Sequence, residues 1–305
     1  MKDNLTRRDA LKIMGAGVTG MAAASILSPM AQAKSIIDSS LLQAESSHPE
    51  QTPQDRRPGF QFAEKEVYSG PDVVIRQIDE HTWEGNGHLM SNETIYIIEG
   101  NDRAILLDAG TRIEDLDKIV AKITGKPVML IATHVHPDHT GESIKYFPEI
   151  WINAADMVNV PGIMPDYKGK INYLEDGQVI DLGGREIEVM FAPGHTPGST
   201  LFFDRQRKYG FSGDAFGSGN LLLFTNWSTL LATATRTEAY IAKYGITKMY
   251  PGHYMSMNAE TPQRISDLKK LAQEVLGGTC KGTAPGQMNL NVQVREYGVT
   301  VAYRD

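Results

Sequence analysis

Residues 133–139 read THVHPDH, three histidines and an aspartate within seven positions, directly after the apolar run Val128, Met129, Leu130, Ile131. The whole chain holds 8 histidines in 305 residues, so background composition does not supply such a cluster. An extended segment aims alternate side chains to one side, which turns His134 and His136 together. Pro137 then bends the chain so that Asp138 and His139 approach from another direction. An isolated H-x-H is often only a pair of hydrogen-bonded core histidines. Adjoining Asp138 and His139 change that balance and suit two adjacent metal ions.

Outward from this loop, short apolar runs separated by turn residues read as strands: DVVIRQI, TIYIIEG, AILLD, VMLIAT, EIWIN, QVIDL, EIEVMFA, TLFFD, YGFS, KMYPG, NVQV and VTVAY. Helical spacing appears at 113–123, 237–244 and 262–276, the last with Thr261 as N-cap ahead of Pro262. Hairpin turns at GNDR (100–103) and DRQRK (204–208), mixed with strand-helix-strand passages, point to an α/β protein with two mixed sheets facing each other and helices outside. Strand exits repeatedly deliver aspartate or histidine: Asp108, His134, His195, Asp214 and His253. Glycine stands directly before His195, Asp214 and His253, as expected where backbone must pass close to a shared centre.

The H-x-H-x-D-H stretch, together with GHTPGS (194–199), SGD (212–214) and PGH (251–253), resembles the metallo-beta-lactamase-fold superfamily from Ile95 to about Leu276. The resemblance implies an αββα sandwich with its site at one edge of the paired sheets. It further implies a first metal on His134, His136 and His195, a second on Asp138, His139 and His253, and Asp214 bridging them. Asp108 would brace the histidine loop, the alternative being an aspartate that opens an ordinary turn before Gly110. Such donors suit two zinc ions per chain, with iron or manganese chemically permissible. The expected reaction is hydrolysis by a metal-bridging hydroxide, with Asp138 orienting it and relaying its proton.

Asp214 stands where thiolate-site zinc beta-lactamases have cysteine and another lactamase group has serine. That makes the chain more similar to the glyoxalase II, lactonase, phosphodiesterase and nuclease branches, so a carboxyl ester, lactone or thioester is the expected substrate, ahead of a beta-lactam, and RNA cleavage is disfavoured by the acidic charge. A mononuclear-iron persulfide dioxygenase is the competing reading. A binding scaffold without turnover ranks last, because none of the seven ligand positions is lost. Glutathione thioesters are disfavoured by a strand-rich C-terminal tail without a basic helical patch. Around the site, Trp83 and His88 in WEGNGHLM are expected to cover the cleft. Phe224 and Trp227 in NLLLFTNWSTLL would form a substrate wall, with core packing or a homodimer seam as the alternatives. Tyr254 is a candidate oxyanion donor or a packing tyrosine.

Residues 1–33 carry Arg7 and Arg8, a short Gly- and Ala-rich apolar stretch, and a small-x-small ending at Ala31 and Ala33. This reads as an export signal, with TRRDALK similar to a twin-arginine motif and no anchor retained after cleavage. The expected location is the periplasm or another exported compartment. Residues 34–58, rich in Ser, Gln and Pro, read as a linker, and 59–305 as the catalytic domain. Net charge is −7 and becomes −9 once the leader's four cations and two anions are removed, which disfavours nucleic acid and leaves a small molecule as the partner. Cys280 is the single cysteine, excluding an internal disulfide and a multi-thiolate metal site.

Overall fold

The computed structural model describes residues 63–87 and 92–305. The leader, the linker and His88 lie outside the described residues. The first sheet has eight strands in sequential order: β1 (Lys65–Ser69), β2 (Val73–Asp79), β3 (Thr82–Gly87), β4 (Thr94–Glu99), β5 (Ala104–Leu107), β6 (Val128–Ile131), β7 (Glu149–Ile152) and β8 (Lys170–Tyr173). Strands β1 to β5 pair antiparallel, and β5 to β8 pair parallel. The parallel step from β5 to β6 needs a crossover, which helix α1 (Leu116–Ile123) supplies. A short helix, α2 (Val160–Ile163), lies between β7 and β8.

The second sheet joins β9 (Val179–Asp181), β10 (Glu186–Phe191), β11 (Thr200–Asp204), β12 (Tyr209–Gly213) and β14 (Lys248–Pro251). Between β12 and β14 the chain forms β13 (Asn220–Leu223) and helix α3 (Trp227–Tyr244). After β14 come helix α4 (Pro262–Leu276), β15 (Val292–Glu296) and β16 (Val299–Tyr303). Strand β13 pairs with β16, and β16 with β15, as a third sheet.

Strand periodicity explains the layers. In β4, Tyr96 and Ile98 face the second sheet, where they pack with Val189, Phe202, Phe211 and Tyr250. Their neighbours Ile95 and Ile97 face the other way, into a cluster with Leu116, Ile119 and Val120 of α1. Strands covered on both faces read as continuous apolar runs, which is why TIYIIEG and AILLD contain so little alternation. The outer face of the second sheet, with Leu201 and Phe203, is covered by Leu230, Ala234 and Ile241 of α3 and by Ile265, Leu268 and Leu271 of α4. The order is helix, sheet, sheet, helix.

Several local expectations are corrected. WEGNGHLM does not begin as a cover over the cleft, because Thr82–Gly87 is an interior strand and Trp83, 8% exposed, packs in the core with Ile95 and Ile113. NLLLFTNWSTLL is not a loop: its first four residues are β13 and its last residues open α3. Helix α3 begins ten residues before the expected 237, capped by Asn226 Oδ1 accepting from Thr229 N at 2.9 Å and closed by Gly245 at φ 65°. Its β-branched Thr233, Thr235 and Thr237 blur the apolar period that identifies a helix. Helix α1 starts at Leu116 rather than 113, because Asp115 sits at φ 53°.

One ionisable group is enclosed in the first sheet. Across β2, β3 and β4, Arg76, Glu84 and Tyr96 are aligned neighbours. Glu84 Oε1 accepts from Arg76 Nη1 at 3.2 Å, whereas Oε2 is buried without a hydrogen-bond partner. Burial pushes the Glu84 carboxyl up to about 8, with Arg76 opposing. The folded protein therefore keeps a proton that the unfolded chain releases from its ordinary carboxyl range upward. Stability contributed by this group is full at low pH and is lost as pH rises toward 8, at up to about 1.4 kcal/mol per pH unit. Glu84→Gln, which mimics the protonated acid, is expected to flatten that fall. Urea midpoints at pH 5 and pH 8 for the two proteins measure it, and equal slopes would refute it.

Candidate metal centre

Strands β5 and β6 run the same way in the first sheet, and β10, β12 and β14 run the same way in the second. Their carboxyl ends are followed by Asp108, His134, His195, Asp214 and His253 respectively. The side chains gather into three overlapping groups whose ligand atoms lie within 4.8 Å of one another: His134, His136 and His195; His134, His139 and Asp214; Asp138, His139 and His253. All seven predicted ligands are thus brought to one place.

In His139 and His195 the outer ring nitrogen is directed by a specific acceptor, which orients the inner one. Asp108 Oδ2 lies 2.8 Å from His139 Nδ1, so that nitrogen donates and the ring's Nε2 faces inward. The same carboxylate accepts from Thr133 N at 2.7 Å and Thr133 Oγ1 at 2.8 Å, tying the start of the loop to its end. His195 Nδ1 donates to the Leu222 carbonyl at 2.8 Å, leaving Nε2 3.0 Å from His136 Nδ1. The Nε2 atoms of His134 and His139 are buried with no hydrogen-bond partner. Ring nitrogens and carboxylates gathered this closely, with two buried Nε2 atoms left without any hydrogen-bond partner, are costly as they stand and fit divalent cations.

The charges agree with that reading. Burial, reinforced by neighbouring imidazoles, holds His134 and His136 well below the ordinary histidine range, and burial also lowers His195. These rings are neutral and ready to ligate. His139 is held well above that range and His253 is pushed up to about 9: burial opposes both shifts, and the carboxylates of Asp138 and Asp214, with Asp108 beside His139, outweigh it. Asp214 in turn lies well below the carboxylate range, because His253 and His139 outweigh its burial. Taken as two sites, His134, His136 and His195 form a first group and Asp138, His139 and His253 a second, and protons compete with metal for the ligands of the second.

Asp214 faces both groups. Its Oδ2 is 3.2 Å from His253 Nε2 and 3.8 Å from His195 Nε2, and its Oδ1 is 3.6 Å from His139 Nε2. Asp138 Oδ2 is 3.4 Å from His253 Nε2, and its side chain, 16% exposed, is partly buried like that of Asp214. Close approach at this edge demands glycine at two positions. A Cβ at Gly252 would fall on Asp214 Oδ1 and 2.7 Å from His139 Cε1, and one at Gly213, at φ 48°, would lie 2.5 Å from Thr133 Oγ1. Gly194 has no such requirement, since its nearest neighbour would be 3.8 Å away.

Of the proposed substrate contacts among the described residues, only Phe224 sits at the ligands, its ring edge-on to His136 at 5.6 Å and to His195 at 5.5 Å. Trp227 is 7% exposed and packs against Tyr303 at 5.0 Å, which makes it core. Tyr254 is also a packing residue: it is 3% exposed, and its hydroxyl donates to Glu64 Oε1 at 2.7 Å. Residues that sequence reading missed hold the His253 loop in place. Tyr96 Oη donates to the Pro251 carbonyl at 2.6 Å, Thr94 N to the Gly252 carbonyl at 2.6 Å, and Asn86 Nδ2 to the Tyr254 carbonyl at 3.1 Å. Glu260 Oε1 accepts from Ser218 N at 2.6 Å, securing the turn after Asp214. No local signal marks these side chains, since each acts on a strand exit distant in sequence.

Removing the carboxylate shared by both groups is expected to abolish metal-dependent turnover while the fold persists. Asp214→Ala should lose more than about 100-fold in kcat and hold less metal per chain, with an unchanged far-ultraviolet circular dichroism spectrum. Full retained activity would refute the shared role.

A family model described as the metallo-beta-lactamase superfamily matches residues 91–253. The chain is 26% identical over 249 residues to the acyl-coenzyme A thioesterase MBLAC2 of Gallus gallus, covering 67% of this chain and 85% of that protein. It is 26% identical over 145 residues to the hydroxyacylglutathione hydrolase GloC of Haemophilus influenzae, covering 41% of this chain and 66% of that one. The metallo-beta-lactamase from Pontibacter korlensis superposes with a TM-score of 0.51 at 18% identity, covering 66% of this chain and 99% of that structure, and so shares the fold. The family match encloses all seven ligand positions and spans more than half of the sequence: the chain belongs to the metallo-beta-lactamase superfamily and is a metal-dependent hydrolase.

Proposed function

We propose that this hydrolase cleaves the acyl bond of a small thioester, and by the same chemistry a reactive ester or lactone, using two zinc ions. The observation that carries the reading is the position of Asp214 between two ligand groups, each with its own histidines, beside the Nε2 atoms of His134 and His139 that are buried without a hydrogen-bond partner. Bound there, the cations would supply Lewis-acid polarisation of a carbonyl and a water acidified to near neutrality. The chain's own groups do the rest. Asp138, the carboxylate not shared between the two groups, accepts and returns the proton. Phe224 walls one side beside His136 and His195, excluding water and offering an apolar surface to the acyl or leaving group.

The leaving group follows from proton supply. Tyr254 spends its hydroxyl on Glu64, so Asp138 is the carrier near the ligands, and a thiolate departs with little need of a proton. A thioesterase among the relatives, matched over 85% of its length, supports this choice. A cavity of ≈ 440 Å³ borders the same loop, lined among others by Thr111, Pro137, Ile144, Ile163, Met164 and Tyr167. Its size and mixed apolar lining suit an acyl group. The leader residues support export, the acidic charge argues against polyanionic partners, and a small molecule is the partner in this reading.

Metal per chain, measured by elemental mass spectrometry on protein purified without added metal, is expected to be two zinc ions. A panel of an acyl thioester, a lactone, a beta-lactam and a phosphodiester should show fastest turnover of the thioester. A single iron with oxygen uptake on persulfide would overturn the proposal. Ile163→Trp, which fills the cavity, is expected to lower kcat/KM about 10-fold or more for a decanoyl thioester and to spare the acetyl thioester. Equal effects on both would remove the cavity from the substrate path.

A further inference from the structure

Asp156 belongs to no ligand motif, yet its carboxylate joins the two loops that carry His134, His136 and His195. It lies in a 3-10 turn, Ala154–Val158, that follows β7 and is capped by Asn153. The residue is fully buried. Its Oδ2 accepts from Val135 N at 2.8 Å, the peptide between His134 and His136, and from Thr196 Oγ1 at 2.9 Å, the residue after His195. Its Oδ1 accepts from Gly198 N at 2.7 Å. The contact is tight enough that a Cβ at Gly198 would lie 2.5 Å from Asp156 Cγ. Two loops about sixty residues apart in sequence are thereby locked to one carboxylate, with His195 Nε2 held 3.0 Å from His136 Nδ1.

The second group is held by other residues. Asp108 fixes His139, and Asn258 Nδ2 donates to the His253 carbonyl at 2.7 Å while its Oδ1 accepts from Met255 N at 2.7 Å. Asp156 makes no hydrogen bond to Asp138, His139 or His253 among the described residues. We propose that Asp156 is the positioning residue of the His134, His136 and His195 group, and that it sets the metal affinity of that group separately from the other. All three of its partners are donors. In Asp156→Asn, an amide NH2 must replace one acceptor oxygen, so a buried donor is turned against a buried donor and one loop is released.

The proposal rests on the metal reading of the site. Its test is a chelator-competition titration with Zn2+ on the full chain, comparing wild type, Asp156→Asn, the milder Thr196→Val and the mirror variant Asn258→Ala. Asp156→Asn is expected to weaken one dissociation constant by about 10- to 100-fold and leave the other within about 2-fold. Anomalous diffraction at one equivalent of zinc should then find the ion at Asp138, His139 and His253. Thr196→Val should move the same constant less, and Asn258→Ala should move the other one. If Asp156→Asn does not fold, Thr196→Val carries the test alone. A wild-type chain that binds no zinc refutes the metal reading itself. Both constants shifting together, or neither, refutes the role of Asp156 while leaving that reading intact.

Discussion

Five imidazoles and two carboxylates drawn into one partly dry edge of the molecule form the constraint on which the rest of the structure depends. Charged carboxylates resist burial unless positive charge accompanies them, and neutral imidazoles resist it unless their ring nitrogens are paired. The protein meets both demands with a second layer of acceptors. Asp108, itself at φ 63°, takes one nitrogen of His139 and both donors of Thr133, and the Leu222 carbonyl takes one nitrogen of His195. What remains unpaired points to one place, and a cation completes it.

The sandwich follows from the need to deliver those groups from several strands at once. Five strand ends can converge only if the strands share a direction within each sheet, and that requires crossovers through α1 in one half and through β13 and α3 in the other. Tight packing of the shared edge then dictates composition far from any chemistry. Glycine is required at 252 because the Asp214 and His139 side chains occupy the space a Cβ would take, and at 213 because the Thr133 side chain does. The polar strand residues Asn86 and Thr94 hold a loop, and the apolar inner face around Tyr96 keeps the two sheets in register. Such rigid support matters for hydrolysis, since a misplaced ligand weakens the metal and misorients Asp138 together.

Much of this was legible in residue order. H-x-H-x-D-H and the strand exits identified the side chains that gather at one edge, and continuous apolar runs identified strands covered on both faces. What reading in order could not resolve was the use of residues whose local pattern fits two roles. Trp83 sits in a stretch that looks like a polar cover and is in fact an interior strand. Trp227 and the leucines before it resemble a substrate wall but form a helix start and a strand of the third sheet. Tyr254 directly follows a ligand, yet its side chain turns away to Glu64. In each case the deciding partner is distant in sequence, such as Tyr303 for Trp227.

Sequence by itself determined the kinds of atoms available, their grouping into short motifs, and the fold class, because ligand type and apolar periodicity are local properties. Tertiary structure alone decided which carboxylate locks which loop. Asp156, Glu260 and Asn86 carry no motif, and their roles exist only once strands far apart in the chain lie side by side. The physical reason is that a hydrogen bond is fixed by distance and direction in space, and a linear order of residues contains neither until the chain has folded.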